Sequence, residues 1–335
     1  MEQRKNEVAK ARKSPSGSTP SCAGELMNKQ IKIWGMSYGL IGDLIGGLPM
    51  LTYYEKKYPG SYKYFAIEKR CAFTAPLLLN HPLIDRIHIS SKWDGWGDDD
   101  YELINSCDVK ATYDNFKHNR VDWYNFTDFV EETAILAGIQ DITEVLTEEE
   151  MKPKLYQWFD VGIANMNSHT YSKSNQNDLT GFQKSVAIWP FGQGQANSGR
   201  SPNNMWWRNL IEKLTRNGFN VYHYGRDTEP PLATCKGYNK MTNMSFFDQV
   251  KACLASDVVI GVNTGPMWVV GAYSKPAIQL ITNYFPDHHQ RFHSLTPIND
   301  NALNLFVKGN GGVGCNGISI EQVVQATIYK TRGGK

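Results

Sequence analysis

The sequence lacks several features that mark whole classes of protein. Its 335 residues contain no run of about 18 apolar residues, the length that a membrane-spanning helix needs. The six cysteines are scattered and include no Cys-x-x-Cys pair, which argues against a zinc ribbon or a disulfide scaffold. Lys and Arg exceed Asp and Glu by only two, 35 against 33, so the charge does not favour an anionic polymer as partner. We therefore expect a soluble, reduced, cytoplasmic protein.

The amino-terminal 26 residues also lack an apolar segment. They contain several Lys and Arg near the start and continue as "SPSGSTPSCAG". They have no apolar stretch of about 7 to 15 residues such as a secretion signal contains. We interpret residues 1–26 as a disordered leader and Met27 as a candidate functional start. The remainder exceeds what one core holds, since single cores stop growing at roughly 250 to 300 residues. We predict two domains, 27–170 and 171–335, joined within the polar stretch "NSHTYSKSNQNDLTG".

Apolar runs alternate with segments of helical spacing in both halves. In the first half, strands are predicted at 31–34, 62–67, 84–89 and 107–112, with helices at 44–57, 71–79 and 123–136. In the second half, strands are predicted at 185–189, 219–224, 257–261 and 276–281, with helices at 203–215, 246–255 and 266–273. The stretch "SSKWDGWGDDDYE" is predicted to be a turn-rich surface excursion. Strands separated by helices indicate parallel sheets, whose ligands bind at the carboxyl ends of the strands.

The stretch "GVNTGP" follows one predicted strand and opens a predicted helix. Asn263, Thr264 and Gly265 form the turn, and Pro266 suits the first helical position because its missing N–H would have no partner there. Free main-chain N–H groups and the positive end of a helix suit a phosphate. The alternative is a tight turn in which Asn263 or Thr264 only caps the helix.

The stretch "GLIGDLIGGLP" has a similar position in the first half. Gly39 and Gly42 would let the main chain approach a ligand closely, but the spacing differs from the dinucleotide fingerprint Gly-x-Gly-x-x-Gly. We therefore expect no nicotinamide cofactor. Asp43, at the start of the helix, is either an N-cap or a general base in a cleft between the domains.

Two further loops carry charge at predicted strand ends. Arg200, in "FGQGQANSGRSP", has a planar guanidinium that suits a bidentate grip on phosphate oxygens, and solvated surface is the alternative. "YHYGRDTEP" ends a strand with Arg226, Asp227 and Glu229, where a carboxylate could hold ribose hydroxyls. The alternative is that these three residues are ordinary charged residues of an exposed loop.

The order of these motifs resembles the heptosyltransferase-related enzymes of glycosyltransferase family 9. "GLIGDLIGGLPMLTYYEKKYPG", "HPLIDRIH", "MWWRNLIEKLTRNGFNVYHYG" and "MSFFDQVKACLASDVVIGVNTGPMWVVGAYSKPAIQLI" carry the resemblance, which spans roughly residues 30 to 282. It implies the GT-B fold, an α/β architecture of two facing Rossmann-like domains with parallel sheets. The active site of that fold lies between the domains.

The resemblance also implies roles for particular residues. Asp43, after Gly42, stands at the position of the family's catalytic aspartate, on the acceptor side with Gly39. Arg200 matches the basic residue that holds the leaving diphosphate, and Glu229 corresponds loosely to an acidic residue near the nucleoside.

The family's Asp-Thr-Gly, followed three residues later by His, becomes Asn263-Thr264-Gly265 with Trp268. These two differences remove groups that in the family contact the donor sugar, so ADP-heptose in particular is not implied. The Thr-Gly turn could still bind a diphosphate, and Trp268 is our candidate for ligand contact.

Together these motifs predict an inverting, metal-independent glycosyltransferase that moves a sugar from a nucleotide-sugar donor to a hydroxyl of a glycan or other acceptor, without a further cofactor. Asp98–Asp100 resembles a metal-binding Asp-x-Asp, and His288, His289 and His293 could offer paired imidazoles, but we assign neither group a metal. The alternatives are a nucleotide-sugar epimerase of the same fold, a glycosyltransferase acting on modified DNA bases, and a non-catalytic sensor. Nucleic acid as a partner is not favoured by the charge.

Overall fold

The computed structural model describes residues 30–37, 41–93, 95–111, 141–159, 161, 184–192, 201–281, 299–306 and 317–333. The predicted leader, the predicted helix at 123–136 and the predicted domain boundary at 170/171 lie outside these ranges. Within them, no helix combines the length and the apolar character that crossing a bilayer requires.

The first half contains a four-stranded parallel sheet, here called the N-terminal sheet. Its strands are β1 (Lys32–Ser37), β2 (Tyr62–Ile67), β3 (Arg86–Ile89) and β4 (Val109–Ala111), in the order β3-β2-β1-β4. The helices of this half are α1 (Ile41–Gly47), α2 (Pro49–Lys57), a 3₁₀ helix (Lys69–Leu77), α3 (Asp98–Asn105) and α4 (Ile142–Val145). Ile33 and Trp34 in β1 and Phe65 and Ala66 in β2 are all buried, as central strands covered on both faces require.

The second half contains a six-stranded parallel sheet, the C-terminal sheet. Its strands are β5 (Lys184–Trp189), β6 (Phe219–His223), β7 (Tyr238–Lys240), β8 (Val258–Val262), β9 (Ala277–Ile281) and β10 (Ala302–Phe306), in the order β10-β9-β8-β5-β6-β7. Its helices are α5 (Asn204–Arg216), α6 (Phe246–Ala255), α7 (Gly265–Ala272) and α8 (Ile320–Thr331). Read from β7, this is the 3-2-1-4-5-6 order of a Rossmann sheet.

The two halves share an apolar core. The larger cluster of buried side chains includes Trp34 and Ile45 from the first half and Met267 and Val270 from α7. Helices α1 and α7 pack against each other, and the 3₁₀ helix packs against α6. The predicted α/β class with two parallel sheets is therefore confirmed, and the carboxyl side of the N-terminal sheet contacts the helices of the C-terminal sheet.

The observed helices and strands differ from the predicted ones in three respects. The single helix predicted at 44–57 is two helices, because Pro49 cannot donate within a continuous helix and instead begins a new one. The supposed surface excursion ends in α3, where Gly97 N donates to Asp100 Oδ2 at 2.6 Å and closes the first turn. Strands β7 and β10 and helix α8 were not predicted. Strand β7 has only three residues and no apolar run to indicate it.

Candidate functional site

The strand order reverses once in each sheet, and the loops at these two points are where a ligand crevice opens in doubly wound folds. In the C-terminal sheet the reversal lies between β5 and β8, which pair with Trp189 opposite Gly261. The segments that follow these strands therefore leave the sheet at the same edge. The two segments also lie close together, since a Cβ added to Gly192 after β5 would stand only 3.2 Å from Cγ2 of Thr264 after β8.

The turn Asn263–Gly265 offers an unused hydroxyl. The sequence predicted Pro266 as the first residue of α7. The helix instead begins at Gly265, so Pro266 is its second residue. Thr264 is the N-cap residue, yet its side chain makes no capping hydrogen bond. Its Oγ1 is buried and has no hydrogen-bond partner in the part of the chain that the structure describes. Burying a hydroxyl unpaired costs about 1–3 kcal/mol, which an oxygen of a bound anion would recover.

Asn263 and Trp268 are joined to each other. Trp268 Nε1 donates to Asn263 Oδ1 at 3.2 Å. The N-cap residue is Thr264, whose side chain makes no capping bond, so the predicted alternative of a side-chain cap is not what the turn shows. The Trp268 side chain is buried, with 6% of the residue exposed. The indole packs against Gly42, with its Cδ1 at 3.6 Å from where a Cβ of residue 42 would stand, an ordinary van der Waals distance. Ligand contact by Trp268 stays a prediction, and the contacts described for it are with the protein.

A second close contact joins the same two helices. A Cβ added to Gly265 would lie 2.5 Å from Ile41 Cβ, closer than real Cβ atoms approach, and 3.1 Å from Ile41 Cδ1. Gly265 therefore allows the start of α7 to lie against the start of α1. This contact brings the main chain just before Asp43 next to the turn at Thr264.

We expect the substitution Gly265→Ala to destabilise the protein by forcing α1 and α7 apart. Overpacking of this kind costs typically about 1–3 kcal/mol, measurable as a lower free energy of unfolding in urea. Gly35→Ala is the matched control, because its new Cβ would meet Tyr64 O at an ordinary 3.5 Å. Ile41→Gly removes the atom that clashes, so the double variant should recover most of the loss. Strictly additive effects of the two substitutions would contradict the contact.

Glu229 lies beyond the carboxyl end of β6, as predicted, and is only 12% exposed. Its Oε1 accepts from Arg226 N at 3.0 Å, and its Oε2 is 3.0 Å from Nε2 of the fully buried His223. Arg226 and Asp227 are exposed. Glu229 is therefore the carboxylate of this loop that the fold holds in place, and its contact with a nucleoside stays a prediction. His223 was not predicted; it lies at the carboxyl end of β6, on the same buried face as Phe219 and Val221.

Several predicted site residues lie outside the described residues, among them Gly39, Arg200, His288, His289 and His293. Asp43 lies in the first turn of α1, and nothing is described of its side chain. Ser201, which follows Arg200, is buried and donates to Pro190 O at the end of β5.

The Asp98–Asp100 run has a structural role in the described part of the chain. Asp100 is buried, and its carboxylate accepts from Gly97 N and contacts His88 Nε2 at 2.6 Å and Ser90 Oγ at 2.8 Å. Among the described residues, no group of three or more His, Cys, Asp or Glu side chains is arranged to hold a metal ion.

The sequence and the structure were each compared with those of known proteins. No protein-family model matches the sequence, and no curated protein sequence matches it. Solved structures that are similar over about nine-tenths of the chain include the following three. Glycosyl transferase family 9 from Veillonella parvula DSM 2008 has a TM-score of 0.62 at 14% identity, covering 91% of this chain and 98% of that one. E. coli ADP-heptose lps heptosyltransferase II has a TM-score of 0.64 at 13% identity, covering 91% and 99%.

The third is the dodecameric iron-containing heptosyltransferase TibC, described in complex with ADP-D-beta-D-heptose. Its TM-score is 0.51 at 12% identity, and the match covers 91% of this chain and 78% of that one. Identities this low establish likeness of fold alone. The chain therefore has the GT-B fold of the family 9 glycosyltransferases, as the order of its motifs predicted.

Proposed function

We propose that this protein is an inverting glycosyltransferase that moves a sugar from a nucleotide-sugar donor to an acceptor hydroxyl. The observation that carries the proposal is the contact between α1 and α7. It brings the first turn of α1, which contains Asp43, next to the Asn263–Gly265 turn of the C-terminal sheet. A base and an anion-binding turn at one place are what transfer from a diphosphate donor needs.

The donor half of the site would lie at the carboxyl ends of β5 and β8. Thr264 Oγ1 would donate to a phosphate oxygen, and Gly265 N–H, at the first position of α7, has no acceptor within its own helix. Arg200, which follows β5 in the sequence, would add a bidentate contact to the diphosphate. Fixed donors of this kind stabilise the charge that grows on the departing nucleoside diphosphate.

The acceptor half would supply the base. Asp43 takes the proton of the acceptor hydroxyl, and the oxygen attacks the anomeric carbon as the bond from that carbon to the diphosphate oxygen breaks. The electron pair of that bond leaves with the nucleoside diphosphate. A single displacement inverts the configuration at the anomeric carbon.

Ligand-induced stabilisation tests the proposal directly. ADP, UDP, GDP and CDP, and the sugar nucleotides built on them, would each be added to the protein in a thermal unfolding assay. A ligand at 100 times its dissociation constant should raise the free energy of unfolding by about 2.7 kcal/mol. If no nucleotide in the panel stabilises the protein, the proposal is wrong.

Two further measurements refine the chemistry. Donor turnover that proceeds without an acceptor would favour an epimerase, whereas a transferase needs the acceptor hydroxyl. The TibC structure is iron-containing, so the active protein should also be assayed after treatment with a metal chelator. We expect turnover to be unchanged, because Arg200 and the α7 turn would supply the positive potential for the leaving diphosphate.

A further inference from the structure

The side chain of His223 is completely buried, and both of its ring nitrogens have partners. Nδ1 is 2.9 Å from the hydroxyl of Tyr238 in the neighbouring strand β7, and Nε2 is 3.0 Å from Glu229 Oε2. The three side chains form a chain of hydrogen bonds that runs from the edge of the C-terminal sheet to the loop after β6.

The hydrogen bonds fix which nitrogen carries the proton. Leu232 N donates to the Tyr238 oxygen at 3.0 Å, so the hydroxyl proton must be directed elsewhere, and Nδ1 of His223 is the acceptor within reach. Burial raises the pKa of Tyr238 above its ordinary value, which keeps that proton on the phenol. With Nδ1 accepting from Tyr238, Nε2 is the ring nitrogen that donates to Glu229 Oε2.

The carboxylate of Glu229 is held from three sides. Oε1 accepts from Arg226 N and Oε2 from His223. A Cβ at Gly225 would stand 2.2 Å from Oε2, so only glycine lets the carboxylate lie against the main chain here. Gln249 fixes Gly225 in turn, accepting from its N–H at 2.8 Å and donating to its carbonyl at 3.0 Å.

The position of Glu229 is therefore fixed while part of its hydrogen-bonding capacity is unused. An ionised carboxylate accepts about four hydrogen bonds, and two are made by the described residues. The two further hydrogen bonds that Glu229 can accept must come from donor groups, because a carboxylate has no proton to donate. Two adjacent hydroxyls of a ribose have the chemistry that fits.

We propose that Tyr238 and His223 are positioning residues that hold Glu229 as a rigid acceptor for the ribose diol of the donor nucleotide. This inference rests on the proposed function, since it assumes that a nucleotide binds at the carboxyl ends of β6 and β8. Its consequence is discrimination between ribonucleotides and deoxynucleotides, which a purely structural histidine would not influence.

The test uses two amide variants that differ in reach. In His223→Gln, the amide nitrogen can occupy the place of Nε2 and still donate to Glu229. In His223→Asn, the shorter amide can accept from Tyr238 but cannot reach the carboxylate. Calorimetric dissociation constants would be measured for the nucleoside diphosphate that binds wild type best and for its 2′-deoxy counterpart, with the melting temperature of each variant as the measure of folding.

We expect wild type to prefer the ribonucleotide by about tenfold or more, since a hydrogen bond to a charged group is lost with the 2′-hydroxyl. His223→Gln should keep that ratio within about threefold. His223→Asn should lower it to about one, by weakening ribonucleotide binding. A folded His223→Asn variant with the wild-type ratio would overturn the inference.

Gly225→Ala keeps the test decisive if His223→Asn does not fold, because it displaces the carboxylate without altering His223. It too should lower the ratio to about one, and an unchanged ratio would again overturn the inference. Wild type that binds both nucleotides equally overturns this inference but not the proposed function. Wild type that binds no nucleotide overturns the proposed function itself, and this inference with it.

Discussion

The substitution Asp43→Asn should lower turnover by about 10² to 10⁴-fold, the usual contribution of a positioned general base. Asparagine has nearly the same shape but cannot take a proton from the acceptor hydroxyl. The donor would be held by loops of the C-terminal sheet, so its dissociation constant should stay near the wild-type value. Single-turnover rates with a saturating donor, together with calorimetry, would separate the two effects.

Asp98→Asn is the matched control for this experiment. Asp98 is an exposed aspartate at the start of α3 in the same half of the protein, and it belongs to the Asp98–Asp100 run that resembles a metal-binding motif. We expect this variant to retain wild-type turnover. If Asp43→Asn also retained it, Asp43 would have no part in the proton transfer. If Asp98→Asn abolished activity and added metal restored it, metal independence would be wrong.

Acid should destabilise the protein through His81 between about pH 6.5 and 4. Burial lowers the pKa of His81 from 6.5 to about 4, and only 8% of the residue is exposed. Its Nδ1 accepts a hydrogen bond from Leu83 N at 3.3 Å, which a proton on that nitrogen would break. Below pH 6.5 the unfolded chain therefore binds a proton that the folded chain does not.

The free energy of unfolding should consequently fall as the pH is lowered from 6.5 towards 4, by about 3 kcal/mol from this residue. Urea unfolding of wild type and His81→Asn across this range would measure it. The introduced asparagine side chain would accept from Leu83 N as an Asx turn does, but it does not titrate. The two curves should differ by a constant above pH 6.5 and converge or cross below it. Parallel curves throughout would exclude His81 as the cause.

The fold was predictable because it depends on local patterns. The apolar run at 62–67 is bounded by Pro59-Gly60 on one side and by charge on the other, and β2 has those same bounds. Ser245 precedes an amphipathic segment, and its Oγ accepts from Asp248 N at 3.1 Å to cap α6. By contrast, β7 could not be predicted, because its three residues are held by pairing with β6 and not by any pattern of their own.

The candidate site was only partly predictable. The stretch "GVNTGP" identified a turn at a strand end, because glycine and proline have local conformational requirements that do not depend on the rest of the chain. That the turn leaves the Thr264 hydroxyl buried and unpaired depends on what surrounds it, and Gly192 from another loop is part of those surroundings.

The sequence by itself determined the alternation of strands and helices, the glycine-rich turns and the candidate carboxylates. These properties follow from neighbours within a few residues along the chain. Only the tertiary structure decided that Ile41 meets Gly265, that Trp268 packs against Gly42, and that His223 holds Glu229. The first two contacts join residues more than 200 positions apart. The third joins residues only six positions apart in the chain. It nevertheless depends on packing, because the loop after β6 folds back onto the end of that strand while Tyr238 of β7 contacts the other side of the His223 ring.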